Sequence, residues 1–302
     1  MSAAFVGVDL GGTQIRAALA HDPSRLDARV QRPTPAARSA DVEAALVEAV
    51  REAARGERIA AVGVGAPGPL DPNEGIVHEA PNLPGFVEIA LTRDMSGALG
   101  VPVFLDRDTV VAAYAEAAFG AARGVRDWMY ITISTGIGGT IVTGGKVLRG
   151  VTGTSGEIGH FPIDPNGPPC GCGNNGCVEA LAGGANMAKH FGVASAAEVF
   201  EAWRRGDARA AAIVSRAERA LGDMAVGVVN LLNPARIVVG GGIASGEPEF
   251  VFGAMRRAVR ERAFAVPAGA VEIVPAQLGD EVGLFGAALM ARERVAGRQP
   301  LD

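Results

Sequence analysis

Short apolar runs along this chain alternate with longer stretches in which apolar residues recur every three or four positions. Residues 5–9 (FVGVD) form a strand-like run that breaks into Gly11-Gly12-Thr13. A second strand is expected from Arg16 to Ala20, at hairpin distance. Asp41 is placed to cap a helix running to about Arg55, which Gly56 ends. Ile59 to Val64 is the next buried strand and closes in the turn-rich GAPGPLDP. Val101 to Leu105 is another, running through Asp106-Arg107-Asp108-Thr109 into a helix from about Thr109 to Ala122.

The opening pattern then recurs. Trp128 to Ser134 is an apolar run that breaks into Thr135-Gly136-Ile137-Gly138-Gly139-Thr140, and a further strand follows. DLGGT and TGIGGT share one plan of strand, glycine pair, threonine and strand. Two copies of one architectural unit would give this pattern, each presenting a glycine turn to a polyphosphate; two unrelated tight hairpins are the alternative. Residues 162–177, rich in Pro, Gly, Asn and Cys, read as a loop. Helices are expected from Cys177 to about Phe191, Ala210 to Leu232, Glu249 to Arg262 and Val282 to Val295. Strands are expected at Arg236–Val239, ending in Gly240-Gly241-Gly242, and at Val271–Val274. The alternation implies an α/β fold with mixed sheets. No low-complexity linker is present, so a second domain would be joined by elements that cross the boundary.

Composition narrows the class. The 302 residues, 48% hydrophobic and 20% charged, suit a globular protein of two domains or one large cleft-bearing domain. A formal net charge of −5 gives no basic footprint for nucleic acid. No apolar run reaches the roughly 18–20 residues that cross a membrane, and the first residues lack the basic start of a signal peptide. A cytoplasmic location is expected. Lys146 and Lys189 are the only lysines, and neither lies in a G-x-x-x-x-G-K-[ST] string, so a P-loop is excluded.

The cysteines carry the sharpest signal. All three lie in Cys170-Gly-Cys172-Gly-Asn-Asn-Gly-Cys177, with His160 ten residues upstream. Three thiolates and an imidazole form a closed tetrahedral set, as structural zinc requires. The odd count and a reducing compartment argue against disulfides; three chance buried thiols remain the alternative. With no open coordination position, the metal would fold a loop and fix its neighbours, Glu157 and Glu179.

Glycine turns after FVGVD, YITIS and RIVV are candidates to present backbone N–H groups to a nucleotide. Thr13 and Thr135 offer hydroxyls. Asp9, beside the first turn, is a candidate Mg²⁺ carboxylate or simply a turn former. Asp108 is either a helix cap or a general base that takes the proton from an attacking hydroxyl, and Asp106 competes equally for that role. Glu157, Glu179 and Asn82 suit a ring of sugar hydroxyls.

DLGGT (9–13), GAPGP (65–69), PNLPG (81–85), STGIGG (134–139), GEIGH (156–160), CGCGNNGCVEA (170–180) and VVGGGI (238–243) occur in order. In these motifs the chain closely resembles bacterial glucokinases of the ROK family (repressor, open reading frame, kinase) over essentially its whole length. The resemblance implies an actin-like ATPase fold built on a duplicated ribonuclease-H-like unit, with two α/β domains and mixed sheets around a cleft. The smaller domain would hold residues 1–115 plus 285–302, and the larger, with the zinc loop, 116–284. It further implies ATP phosphates against Gly11, Gly12, Thr13, Thr135 and Gly136, adenosine near Gly240 and Gly241, and Mg²⁺ near Asp9. Asp108 aligns with the catalytic base when the helix is anchored on Glu116. Asn82, Glu157, His160 and Glu179 fall on sugar positions, so that His160 serves zinc with one ring nitrogen and a sugar hydroxyl with the other. The implied reaction is transfer of the ATP γ-phosphoryl group to glucose, and the implied assembly is a homodimer or a higher homo-oligomer. Three departures bear on the sugar: Gln14 where Lys is commoner, Arg107 where Asn usually helps hold the sugar, and Val110 where the next Asn is usual. A kinase for N-acetylmannosamine, mannose, fructose or allose, a sugar-responsive regulator and a non-catalytic sugar-binding protein are the rival readings. An N-terminal DNA-reading domain is not expected, since DLGGT begins nine residues in, and polyphosphate is an additional conceivable donor.

Overall fold

The structure is a computed structural model and describes residues 3–35, 38–80, 83 and 85–301. The chain divides into two compact units, the first made of residues 1–124, 145–155 and 280–302, the second of 125–144 and 156–279.

The first unit opens with β1 (Ala4–Leu10), β2 (Gln14–Ala20), β3 (Ala28–Pro33), α1 (Ser39–Ala54) and β4 (Ile59–Ala66). A small antiparallel sheet follows, of β5 (Leu70–Asp71), β6 (Ile76–Glu79) and β7 (Val87–Ile89), then α2 (Leu91–Leu99), β8 (Val103–Arg107) and α3 (Asp108–Phe119). The main sheet runs β3-β2-β1-β4-β8. The hairpin pairs are antiparallel, whereas β1–β4 and β4–β8 are parallel. Val6, Val8, Val62, Val64 and Leu105 pack with Leu46 and Val50 of α1 on one face.

The C-terminal helix (Val282–Val295) lies against β1 and β4 and against α3. Three glycines make this approach possible. A Cβ on Gly63 would stand 2.0 Å from the Ala287 carbonyl oxygen, one on Gly7 2.3 Å from that of Leu284, and one on Gly286 1.9 Å from that of Val111. No side chain, not even a methyl, fits there.

The second unit repeats the plan. β9 (Trp128–Ile133) and β10 (Ile137–Thr143) form an antiparallel hairpin. A two-residue strand, β11 (Lys146–Val147), begins the 145–155 segment of the first unit. The second unit continues with α4 (Val178–Ala182), α5 (Gly184–Phe191), α6 (Ala196–Arg204), α7 (Ala208–Leu232), β12 (Arg236–Gly240), α8 (Gly242–Gly246), α9 (Ala254–Arg262), α10 (Ala265–Ala270) and β13 (Glu272–Pro275). β10, β9, β12 and β13 lie side by side in that order, with β9–β12 and β12–β13 parallel. β10-β9-β12-β13 therefore matches β2-β1-β4-β8 strand for strand, as the repeated sequence motif predicts. Met129, Ile131, Ile133, Ile237 and Val239 pack with Leu221, Met224 and Val228 of α7 in a separate core.

Several local expectations change. The helix expected from Asp41 begins at Ser39; Asp41 pairs with Arg38 and caps nothing. The single helix expected over 177–191 is two, parted at Gly183, which is extended (φ −67°, ψ 139°). The stretch from Glu249 starts with a π-helical turn over Glu249–Gly253 before α9. Strand β3 was hidden because it is an edge strand with only Ala28 and Val30 apolar on its inner face; its arginines reach acidic partners, Glu281 for Arg29, Glu48 and Glu52 for Arg32. Among the described residues no helix is long and apolar enough to cross a membrane.

Candidate active site and metal centre

In the first unit the site residues gather at the carboxyl ends of adjacent parallel strands. Asp9 pairs in register with Gly65, and Gly65 with Asp106. Strands lie about 4.8 Å apart, so Asp9 and Asp106 stand about 10 Å from each other along one row. Loops at this edge of an α/β sheet are where ligands characteristically bind.

The turn after β1 is closed by the Gly11 N–H donating to the Gln14 carbonyl at 2.9 Å, with Gly12 and Thr13 exposed beyond it. The Thr34 hydroxyl donates to the Gly11 carbonyl at 2.7 Å. The Asp9 side chain is 21% exposed, and Arg16 Nε lies 3.7 Å from its Oδ2. Burial pushes the Asp9 carboxyl above the usual range, and Arg16 pulls the other way. Gly283, in the first turn of the C-terminal helix, lets that positive helix end approach: a Cβ there would be 3.0 Å from Asp9 Cγ. Gly283 was not singled out from sequence, where GLFG reads as an ordinary helix segment.

Two aspartates compete at the end of β8, and the structure separates them. Asp106 is fully buried. Its Oδ1 accepts from the Arg107 N–H and Arg149 at 3.0 Å each, and its Oδ2 from Tyr114 Oη at 3.0 Å and Arg149 at 2.7 Å. Four donors saturate that carboxylate. Asp108 is exposed, opens α3 and accepts from the Thr109 N–H at 2.7 Å. Arg107 is buried and donates to the Ser155 carbonyl at 2.5 Å. Arg16 therefore lies beside Asp9, whereas Arg107 reaches the Ser155 carbonyl. Asn82 lies outside the described residues.

In the second unit, the Thr135-Gly136 turn follows β9, with Thr135 exposed. The Gly240-Gly241 turn after β12 meets the same strand end. Gly241 has φ +95°, and a Cβ on it would lie 2.5 Å from the Ile133 carbonyl oxygen. A left-handed, crowded position of this kind requires glycine. Gly156-Glu157-Ile158-Gly159-His160 packs against β10, where Cβ atoms on Gly156 and Gly159 would fall 2.7 Å and 1.9 Å from the Gly139 and Ile137 carbonyl oxygens. Glu157 is exposed and His160 half-buried. Glu179, in the first turn of α4, points its carboxylate at the Thr135-Gly136 turn, its Oε2 accepting the Ile137 N–H at 2.8 Å.

The donor atoms of His160, Cys170, Cys172 and Cys177 all lie within 4.8 Å of one another. His160 Nδ1 is 3.5 Å from Cys170 Sγ, and Cys172 Sγ is 3.7 Å from Cys177 Sγ. A tetrahedron with Zn–S of about 2.3 Å and Zn–N of about 2.0–2.1 Å has edges of about 3.8 Å (S–S) and about 3.6 Å (N–S). The set fits zinc by distance and by donor chemistry. Nδ1 faces the thiols, which leaves Nε2 on the far side of the ring. Burial pushes the Cys177 and Cys170 thiols up, while the Asn174 N–H holds that of Cys172 down. Buried thiols resist ionising side by side unless a cation sits among them.

Known proteins resemble this chain in sequence and fold. The model of the ROK family matches residues 5–294. A glucokinase from Thermotoga maritima is 34% identical over 97% of this chain and 98% of its own length. An N-acetylmannosamine kinase from Shigella flexneri is 32% identical over 95% and 98%. Among solved structures, a ROK hexokinase from Thermus thermophilus superposes with a TM-score of 0.82 at 40% identity, covering 97% of this chain and 99% of that one. A ROK family glucokinase from Streptomyces griseus, in complex with glucose and AMPPNP, gives 0.83 at 31%, covering 96% and 99%. The fold is thus that of the actin-like ATPases, in the form taken by the ROK sugar kinases. The chain belongs to the ROK family.

Proposed function

We propose that this protein is an ATP-dependent hexose kinase, with glucose as the acceptor and Asp108 as the general base. The observation that carries the reading is the division of labour after β8. The Asp106 carboxylate is saturated by four donors, while Asp108, two residues on, stands exposed at the carboxyl edge that also bears Asp9.

Asp108 orients the sugar's primary hydroxyl and accepts its proton as the oxygen attacks the γ-phosphorus of ATP. Phosphoryl transfer is catalysed chiefly by positioning and charge neutralisation. Backbone amides at Gly11, Gly12, Thr13 and Gly136, with the Thr13 and Thr135 hydroxyls, receive the phosphates. Gly240 and Gly241 approach the adenosine. Asp9 offers the hard oxygen donor that suits Mg²⁺, which supplies charge neutralisation on the phosphates when bound. Glu157, Glu179, His160 Nε2 and Asn82 hold the sugar hydroxyls. His160, Cys170, Cys172 and Cys177 would hold zinc, which would fix the His160 ring and the loop on which these groups depend. The same reading makes the protein cytoplasmic and a homodimer or larger homo-oligomer.

N-acetylmannosamine is the second acceptor to consider, because a kinase for it is 32% identical to this chain and Arg107 replaces an Asn at a sugar position. The test is ADP release from Mg·ATP by zinc-loaded protein against a panel of hexoses and amino sugars, with a sugar-free blank. Turnover that depends on glucose, and exceeds that with N-acetylmannosamine, supports the reading. Preference for the amino sugar replaces the acceptor. No turnover with any sugar in folded, zinc-containing protein removes the kinase.

A further inference from the structure

The Thr135-Gly136 turn is held by the α4–α5 junction at three points. The Gly184 N–H donates to the Ser134 carbonyl at 2.9 Å, and the Ala185 N–H to that of Thr135 at 3.0 Å. The third tie is the Glu179 carboxylate, whose Oε2 accepts the Ile137 N–H at 2.8 Å. Gly136 is what lets the carboxylate come so close: a Cβ on it would lie 2.5 Å from Glu179 Oε2. Gly183 and Gly184 serve the same approach. Cβ atoms there would fall 2.7 Å from the Glu179 carbonyl oxygen and 2.8 Å from that of Ser134. The break between α4 and α5 is thus part of the clamp, and the Asn186 amide ties it by donating to the Glu179 carbonyl at 3.1 Å.

A carboxylate has two oxygens, and this one uses them unequally. Oε2 is committed to the turn, while Oε1 has no hydrogen-bond donor among the described residues. A hydrogen bond to a charged acceptor is stronger than a neutral one, so losing it frees the turn's third anchor.

We propose that Glu179 is a positioning residue for the nucleotide, setting the Thr135-Gly136 turn through Oε2 while Oε1 remains for a sugar hydroxyl. The inference rests on the kinase reading and adds to it that one side chain serves both substrates. Sugar on Oε1 restrains the carboxylate, the restrained carboxylate holds the turn, and the two ligands bind more tightly together than apart. By linkage the enhancement is the same in either direction.

The test is the affinity of Mg·AMPPNP for the zinc-loaded protein with no sugar present, compared among the wild type, Glu179→Ala and Glu179→Gln. Glu179→Ala is expected to weaken nucleotide binding about tenfold and to speed hydrogen exchange at the Ile137 amide. Glu179→Gln keeps an oxygen for that N–H and is expected to return nucleotide affinity to within about threefold of wild type, with sugar binding still impaired. One zinc per chain and an unchanged melting temperature establish that each variant is folded. Unchanged nucleotide affinity and Ile137 exchange in Glu179→Ala would overturn the proposal and leave Glu179 as a sugar contact alone. So would a Gln variant as weak as Ala. The kinase reading is tested separately, by wild-type turnover on the sugar panel.

Discussion

Arg149 meets the buried carboxylate of Asp106 with both terminal nitrogens, at 3.0 and 2.7 Å, and passes a third hydrogen bond to Tyr114 Oη at 2.7 Å. Arg149 comes from the 145–155 segment and Asp106 from β8, so the pair fastens a segment that returns to the first unit after β10. Desolvation and the Asp106 charge raise the Tyr114 phenol well above its ordinary value, which keeps it a neutral donor. Removing one partner of such a pair costs about 3–5 kcal/mol, because the other charge is left buried. Asp106→Asn is expected near the lower end, since the Arg149 side chain is 28% exposed and regains some water. Denaturant unfolding measures this, and a loss below about 1 kcal/mol would mean that the pair contributes little.

Asp108→Asn is expected to lower kcat at least 10²-fold, as general-base catalysis is typically worth about 10²–10⁴. Sugar affinity, measured by calorimetry, should stay within about threefold, because the amide keeps the side chain's shape and one acceptor oxygen. Near-normal turnover would take the base's role away from Asp108.

Gly63→Ala drives a methyl to 2.0 Å from the Ala287 carbonyl oxygen, and the C-terminal helix must shift. Overpacking of this sort costs about 1–3 kcal/mol. Gly97→Ala, in α2, meets nothing within 4 Å and should gain up to about 1 kcal/mol from helix propensity. Melting temperatures moving in opposite directions would bear this out; equal shifts would refute the packing argument.

Much of this was readable in advance. FVGVD and the YITIS run declared themselves as strands because parallel strands, covered on both faces, are apolar almost throughout. The Cys-Gly-Cys spacing with His160 announced the cluster that the structure gathers, because three thiols and an imidazole are a donor set suited to one ion. β3 escaped because an edge strand needs apolar residues on one face only. Gly183 escaped because a glycine inside a helical pattern looks tolerable until its neighbour Glu179 is seen clasping the Thr135-Gly136 turn. What the sequence could not show is how Asp106 is engaged, because its partners Arg149 and Tyr114 are separated from it by 43 and 8 residues.

Zinc removal should loosen the second unit locally. Chelation, or Cys172→Ser, is expected to speed hydrogen exchange through residues 157–179 and to weaken sugar binding, with one metal per chain lost by elemental analysis. Retention of the metal in the Ser variant, or unchanged exchange after its loss, would mean that the loop holds itself.

His21 adds a pH dependence of its own. Its Nδ1 lies 2.9 Å from Asp27 and its Nε2 2.9 Å from Glu57, and these carboxylates raise its pKa from the ordinary 6.5. A pKa raised on folding contributes stability that is fully present below the unfolded value and fades as pH rises through the folded one. The melting temperature of His21→Asn should therefore trail the wild type most at about pH 6 and converge with it in alkaline buffer. A gap that stays constant with pH would show that the contacts do not depend on the imidazolium.

The C-terminal helix closes the sheet with which the chain begins. Its residues 282–295 pack on β1 and β4, and Gly7 and Gly63 are shaped to receive them. During synthesis the second unit, complete by residue 279, has its whole sequence before the first does. The amino-terminal sheet keeps one apolar face uncovered until residues 282–295 have been made. Leading domains generally fold first; here the first unit needs residues that follow the whole of the second.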